Sequence, residues 1–136
     1  MDTLSLDGEV ARFLNPPRYA VIATHDPDGA IWQAVVWYAL TGEGILMNAR
    51  NGRRWLSNLR RDPRLSFVVE HGEDYVMLRG EATVIDDPVR GLADALMLAK
   101  RYRSDETFAG QDRVDVLFHP ARVAVHGEVY LDRPAT

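Results

Sequence analysis

The chain has 136 residues, of which 46% are hydrophobic and 26% charged, with a formal net charge of −4. That is enough apolar material for one packed domain, so disorder is not expected, and a dedicated nucleic-acid binder, which carries excess positive charge, is disfavoured. The absence of cysteine removes disulfides, thiolate nucleophiles, Fe–S clusters and cysteine zinc sites together, and no apolar run reaches the ~20 residues of a membrane-spanning helix.

Leu6, Val10, Phe13 and Leu14 recur at helical spacing behind Ser5 or Asp7 as N-cap, and Pro16-Pro17 ends this short helix. Residues 18–25 (RYAVIATH) read as a strand, Asp26-Pro27-Asp28-Gly29 as a turn, and 30–40 (AIWQAVVWYAL) as a second strand, giving a hairpin. After a turn at Thr41-Gly42-Glu43-Gly44, Ile45 to Ala49 form a third strand. A helix is expected between Arg50 and Asp62, opened by Asn51 or Gly52, with Trp55, Leu56 and Leu59 as its apolar stripe and Asp62-Pro63 as its stop. Arg64 to Glu70 is the fourth strand, and Tyr75 to Asp86 a long fifth one in which Gly80 marks a bulge. Asp87-Pro88 starts a helix to about Arg103 with the stripe Val89, Leu92, Ala93, Leu96, Ala99 and Tyr102. A loop over 104–111 leads to two last strands, 113–119 and 122–130, separated by Pro120. Six or seven short strands joined by tight turns, with few helices, predict a mainly β fold, a small closed antiparallel barrel in a single domain.

The side chains offer little chemistry of their own. The four histidines have no metal-ligand spacing, no serine sits in a nucleophile elbow, and no glycine-rich nucleotide fingerprint occurs. An enzyme built this way relies on a bound cofactor. Charge distribution points to where. Of the 16 basic residues 15 are arginine, and six of them (50, 53, 54, 60, 61, 64) fall in fifteen residues with one acid, Asp62. The window carries six minus one, +5, so the remainder of the −4 chain carries −9. Arg50 ends a strand and Arg53 and Arg54 begin a helix, where guanidinium groups and free backbone N–H groups together suit a phosphate; a solvated helix face is the alternative. The strand around Trp32 to Tyr38 is apolar on both faces, which suits a strand buried in a core and against a second surface.

VIATHDPDG (21–29), VVWYAL (35–40), NLRRDPRLSFVVE (58–70), MLRGEATV (77–84) and LAKRYR (98–103) together resemble the flavin/deazaflavin oxidoreductase superfamily, over roughly residues 10–127. The resemblance implies the split β-barrel of pyridoxamine 5′-phosphate oxidase, six- to seven-stranded with short flanking helices, and is strongest to the branch that uses the deazaflavin F420. It implies a cofactor phosphate held at Arg50, Arg53 and Arg54 with Trp55 and Asn58 nearby, and a tricyclic ring along Ala34, Val35, Val36 and Trp37, near Asn48. It also implies a homodimer with its cofactor sites between subunits, to which Tyr75, Met77, Arg79 and the segment near Arg103 contribute from the partner's side. Many members carry a lysine in the phosphate loop where Trp55 stands here. The long basic substrate motifs of true pyridoxamine phosphate oxidases and their extended C-terminus are missing, so that reaction is not expected.

The expected function is therefore hydride transfer between F420 and a small conjugated substrate, with FMN in the same fold, or a cofactor-carrying module without turnover, as alternatives. Arg60, Arg61 and Arg64 either extend the basic groove toward the acidic tail of F420 or form surface salt bridges. No catalytic side chain is identified. The first ten residues have no basic start and no long apolar stretch, so a cytoplasmic protein with no membrane or nucleic-acid partner is expected.

Overall fold

Two-residue alternation builds the sheet. In β1 (Ala20–His25) Ala20, Ile22 and Thr24 are buried while Val21 is exposed, and in β5 (Arg64–His71) Leu65, Phe67 and Val69 point inward. The computed structural model describes residues 6–127. Around those two strands the chain runs α1 (Gly8–Leu14), then after β1 to β2 (Ile31–Val36), β3 (Ala39–Thr41), β4 (Gly44–Arg50) and α2 (Arg54–Arg61), and after β5 to β6 (Asp74–Ile85), α3 (Pro88–Arg101) and β7 (Arg113–His126). All seven strands form one antiparallel sheet in the order β2-β1-β5-β6-β7-β4-β3.

That order bends the sheet round into a split barrel. β2 and β3 lie at opposite ends of the sheet, yet only Trp37 and Tyr38 separate them in the chain. The sheet therefore curls until its two edges approach one another. The expected single strand over 30–40 is two strands, and the cause lies in the Tyr38 backbone. Its N–H donates to the Tyr102 hydroxyl (3.1 Å) and its carbonyl accepts from Arg101 Nε (2.9 Å), so α3 satisfies groups that a strand would place in a ladder. The Tyr38 ring turns into the core, meets Phe67 edge-on at 5.3 Å, and its hydroxyl donates to the Leu14 carbonyl at 2.7 Å. Phe67 stacks in turn on Phe118.

Two further expectations change. The two last strands are one, β7, which continues through Pro120 because the register shifts between Arg79 and Gly80 opposite it; residues 128–130 lie outside the described residues. In α3 the expected stripe holds only at its end, where Ala99 is buried and Tyr102 stacks on Trp37. Val89 is 81% exposed and Leu92 and Leu96 are also exposed, whereas Gly91, Ala95, Leu98 and Ala99 are buried. Small residues face the sheet, so the helix lies closer to it than a leucine stripe permits. Its start is as expected, with the Asp87 side chain accepting from the Arg90 N–H. Among the described residues no helix is long and apolar enough to cross a membrane.

Candidate functional site

The barrel is open where its two edges meet. β3 pairs with β4 only at Gly44–Leu46, so the edge of β4 from Met47 to Arg50 has no strand beside it. Among the described residues β2 pairs with β1 alone, and none pairs with its other edge. Between these edges lies a seam of about 580 Å³, lined by Trp32–Val36 from β2 and Asn48–Arg50 from β4. Gly52, Arg53, Arg54 and Trp55, together with Arg113 of β7, form its basic end. Gly52 has φ +103°, which lets the chain turn sharply from β4 into α2.

Arg50 and Arg113 stand directly opposite each other across β4 and β7. Like charges so placed destabilise a sheet unless something neutralises them. Neither they nor Arg53 has a carboxylate partner among the described residues. Arg113 is instead held by neutral acceptors, Asn48 Oδ1 at 3.0 Å and Gln111 Oε1 at 2.9 Å, and lies over the Phe108 ring at 4.3 Å. Burial, then the nearby Arg53 and Arg50 charges, lowers its pKa below the ordinary guanidinium value. At the start of α2 the Leu56 N–H bonds to the Arg53 carbonyl, which leaves the Arg54 and Trp55 amides without a backbone acceptor. Arg113 is half-buried and Arg50 and Arg53 are exposed, and guanidiniums without a carboxylate partner beside free helix amides suit an anion.

Arg54 occupies a different position from its neighbours. Its Nε and NH2 groups form a bidentate pair with Asp26 at 3.0 and 2.6 Å, and its guanidinium lies 4.0 Å from the centre of the Trp32 ring. Asn58 is buried, donating to Asp26 Oδ1 (3.0 Å) and Thr24 Oγ1 (3.1 Å). These bonds, first from Arg54 and then from Asn58, hold the Asp26 carboxyl below the usual carboxylate range. The cluster ties the start of α2 to the β1–β2 turn and gives the seam a fixed wall. Asn58 itself does not line it.

The remaining sequence-derived residues divide. Ala34, Val35, Val36, Asn48, Arg50, Arg53, Arg54 and Trp55 all line the seam. Trp37 faces a neighbouring cavity of about 370 Å³ and stacks on Tyr102 at 5.0 Å. Tyr75 lies on the outer sheet face, stacked on His126. Arg60 pairs with Asp86 at 2.5 Å, Arg64 with Asp62 at 2.7 Å, and Arg61 donates to the His25 carbonyl, so none of the three extends the basic end of the seam. Sequence reasoning missed Arg113, Trp32 and Gln33. An arginine opening the last strand was visible, but its pairing with Arg50 depends on a register that spacing does not reveal.

Behind Arg113 a buried polar chain continues. Asn48 Nδ2 donates to the Gly91 carbonyl (2.8 Å) and to Asp115 Oδ1 (2.9 Å), and Asp115 Oδ2 accepts from Arg90 Nε at 3.0 Å. Asp115 is fully buried. Burial, then the neighbouring Asp94 carboxyl, pushes its pKa up to about 7.

Residues 6–115 match the family described as pyridoxamine 5′-phosphate oxidase. No curated protein matches the sequence. A solved structure described as an F420 reductase is similar at 26% identity and a TM-score of 0.75, covering 83% of this chain and 94% of its own. A conserved hypothetical protein from Mycobacterium tuberculosis is similar at 27% identity and a TM-score of 0.78, covering 99% of this chain and 92% of its own. The heme storage protein of Vibrio cholerae, at 18% identity and a TM-score of 0.68 over 90% of this chain and 95% of its own, shares the fold.

Proposed function

The chain belongs to the pyridoxamine 5′-phosphate oxidase family, and from that premise we propose that it is an oxidoreductase that holds the deazaflavin F420 between β2 and β4 and reduces a small conjugated molecule. The observation that carries this reading is the cross-strand pair Arg50 and Arg113 beside Arg53, at one end of an open seam. A phosphate among these guanidiniums turns their repulsion into charge-assisted hydrogen bonds. The free edge of β2 meets the second requirement. Its unpaired N–H and C=O groups along Ala34–Val36 suit the polar rim of a flat heterocycle, and Trp55 and Val36 give an apolar boundary that excludes water.

When bound, the deazaflavin supplies the hydride. The chain's part is placement: Arg50, Arg53 and Arg113 bind the phosphate, β2 orients the ring, and the Arg54–Asp26 pair keeps the wall rigid. Among the described residues no ionisable side chain other than arginine lines the seam. F420 is preferred to FMN because the similar structure described as an F420 reductase matches over most of both chains. FMN in the same seam is the second reading.

A homodimer is part of the proposal. Val35, Val21, Val68, Met77 and Ala124 stand in register across β2, β1, β5, β6 and β7 on the outer sheet face. Val35 is 68% and Met77 36% exposed, an apolar row that a second copy would cover.

Titration of the apo-protein with F420 and with FMN, followed by tryptophan fluorescence, tests the reading. F420 quenches the signal of Trp32 and Trp55, and replacing Arg50 and Arg113 together by alanine weakens its binding by about 2–4 kcal/mol. Micromolar FMN binding with no response to F420 overturns the cofactor assignment, and unchanged affinity in the double variant overturns the phosphate site. Turnover with a panel of conjugated acceptors separates an enzyme from a cofactor-carrying module.

A further inference from the structure

On one face of the β4–β7 pair, four polar side chains form a square. Register sets Asn48 of β4 opposite Asp115 of β7, and Arg50 opposite Arg113. The bond from Arg113 Nε to Asn48 Oδ1, 3.0 Å long, runs along the diagonal. The α3 helix covers the Asn48–Asp115 end, where the Gly91 carbonyl accepts from Asn48 and Arg90 donates to Asp115. Asp115 is fully buried within the one chain and does not line the seam. Placement of phosphate and ring, as described above, gives it no task.

The Asn48 amide has one allowed orientation. Its Nδ2 stands 2.8 Å from the Gly91 carbonyl and 2.9 Å from Asp115 Oδ1, and Arg113 Nε is a donor only. Reversal would set the amide oxygen against the Gly91 carbonyl and the amide NH2 against the Arg113 N–H. Both Asn48 N–H groups are therefore engaged behind it, and its oxygen faces Arg113. Arg113 is gripped twice more, by Gln111 Oε1 at 2.9 Å from NH1 and by the Phe108 ring beneath its guanidinium. Phe108 is buried at φ +57°, a backbone conformation that a bulky side chain rarely adopts. Arg113 lines the seam, and among the described residues its NH2 group has no acceptor, which leaves that group for a ligand.

This grip works against charge. Arg113 faces Arg50 across the strands, and a guanidinium free to rotate would swing away from its like-charged neighbour. A carboxylate bonded directly to Arg113 would hold it but also neutralise it. The Asn48 amide transmits the hold without the charge, while Arg90 takes up the charge of Asp115 on the far side. We propose that Asp115 is a positioning residue for the anion site: through the Asn48 amide it fixes the Arg113 guanidinium toward the seam. The consequence for binding rests on the reading of the seam as the cofactor site; the fixed guanidinium does not.

Two measurements test this. Proton–nitrogen NMR of the ligand-free full chain follows the Arg113 Nε–H, identified by its loss in Arg113→Gln, and calorimetry follows F420 affinity. Asp115→Leu removes the acceptor, so the Arg113 Nε–H exchanges with water at least about tenfold faster and F420 binds about tenfold more weakly. Asp115→Asn restores an acceptor oxygen for Asn48, with its NH2 toward the neighbouring Asp94 carboxyl, and keeps both quantities within about threefold of the parent. Arg90→Gln removes the tie to α3 but leaves the Asp115–Asn48 bond, so it lowers Tm and keeps the Arg113 signal. If Asp115→Leu does not fold, Asn48→Ala releases the same signal with Asp115 still bound to Arg90. The proposal is overturned if Asp115→Leu and Asn48→Ala exchange at the parent's rate, or if Asp115→Asn exchanges as fast as they do. It is also overturned if Arg90→Gln releases the signal equally, which would make Asp115 an anchor for α3 and nothing more, or if F420 affinity stays unchanged once the signal is lost. The expected exchange rates without F420 binding by the parent would uphold the positioning of Arg113 and refute the cofactor reading alone.

Discussion

At the scale of single residues, polar side chains fix this protein more tightly than its arginine-rich surface suggests. Asn58 joins a helix to a strand and a turn through one amide group. Replacing it by alanine leaves Thr24 and Asp26 short of a buried donor, and chemical denaturation is expected to show a loss of about 1–3 kcal/mol; a loss under about 0.5 kcal/mol, within the scatter of a surface change, would mean that the amide bonds contribute little. Asp115 acts through protonation. Its carboxyl faces Asn48, Arg90 and Asp94, and its pKa is raised to about 7. In the unfolded chain an aspartate titrates near ~4. Between those values the folded protein keeps a proton that the unfolded chain has released, so stability falls as pH rises through that window. Asp115→Asn removes this slope. Unfolding free energies measured from pH 4 to 8 are expected to flatten in the variant, and an unchanged slope would assign the dependence to other groups. Neither role is readable from the sequence, because Asn48 and Asp115 meet only across the β4–β7 pairing.

At the scale of elements, the local signals for starts, stops and strand type were strong and the packing signals were not. Asp87-Pro88 opens α3 as its residues demand, and Asp26–Gly29 turns β1 into β2. The buried face of α3 was misread over its first turns, where Val89, Leu92 and Leu96 suggested it, while Gly91 and Ala95, with Leu98 and the expected Ala99, make it. Gly91 decides the matter. A Cβ there would overlap the Arg113 carbonyl, so the helix rests directly on β7, and the Gly91 carbonyl holds Asn48 in place. Gly91→Ala is expected to destabilise the fold by about 2–3 kcal/mol through overpacking, measured by thermal or urea unfolding. It is also expected to weaken cofactor binding at Arg113, since Asn48 shifts with the helix. A variant as stable as the parent would show that α3 can move away from the sheet without cost.

At the scale of the whole molecule, one row of side chains bears on assembly. Val21, Val35, Val68, Met77 and Ala124 lie side by side only because five strands share one register. If a second copy covers this row, the protein elutes in gel filtration as a species of twice 15.3 kDa, about 31 kDa, and Met77→Glu shifts it to the monomer position. Elution of the parent as a monomer would remove the dimer from the proposal. Net charge is similarly uninformative as a total. Within the +5 window, four of the six arginines pair with acids or carbonyls, and Arg50 and Arg53 join Arg113 from outside the window to make the seam's basic end.

The sequence by itself determined the strand-rich class, most turns and helix limits, the family resemblance and the place of the basic strand–helix junction. These depend on neighbours within a few residues, and local sterics and hydrogen bonding read out there directly. The tertiary structure alone decided that one apolar run becomes two strands at opposite sheet edges, that Arg54 is bound by Asp26, and that Arg113 faces Arg50. Each of these follows from pairings between residues far apart in the chain, where a shift of one position exchanges the two faces of a strand. The pattern of a single sequence does not carry that register.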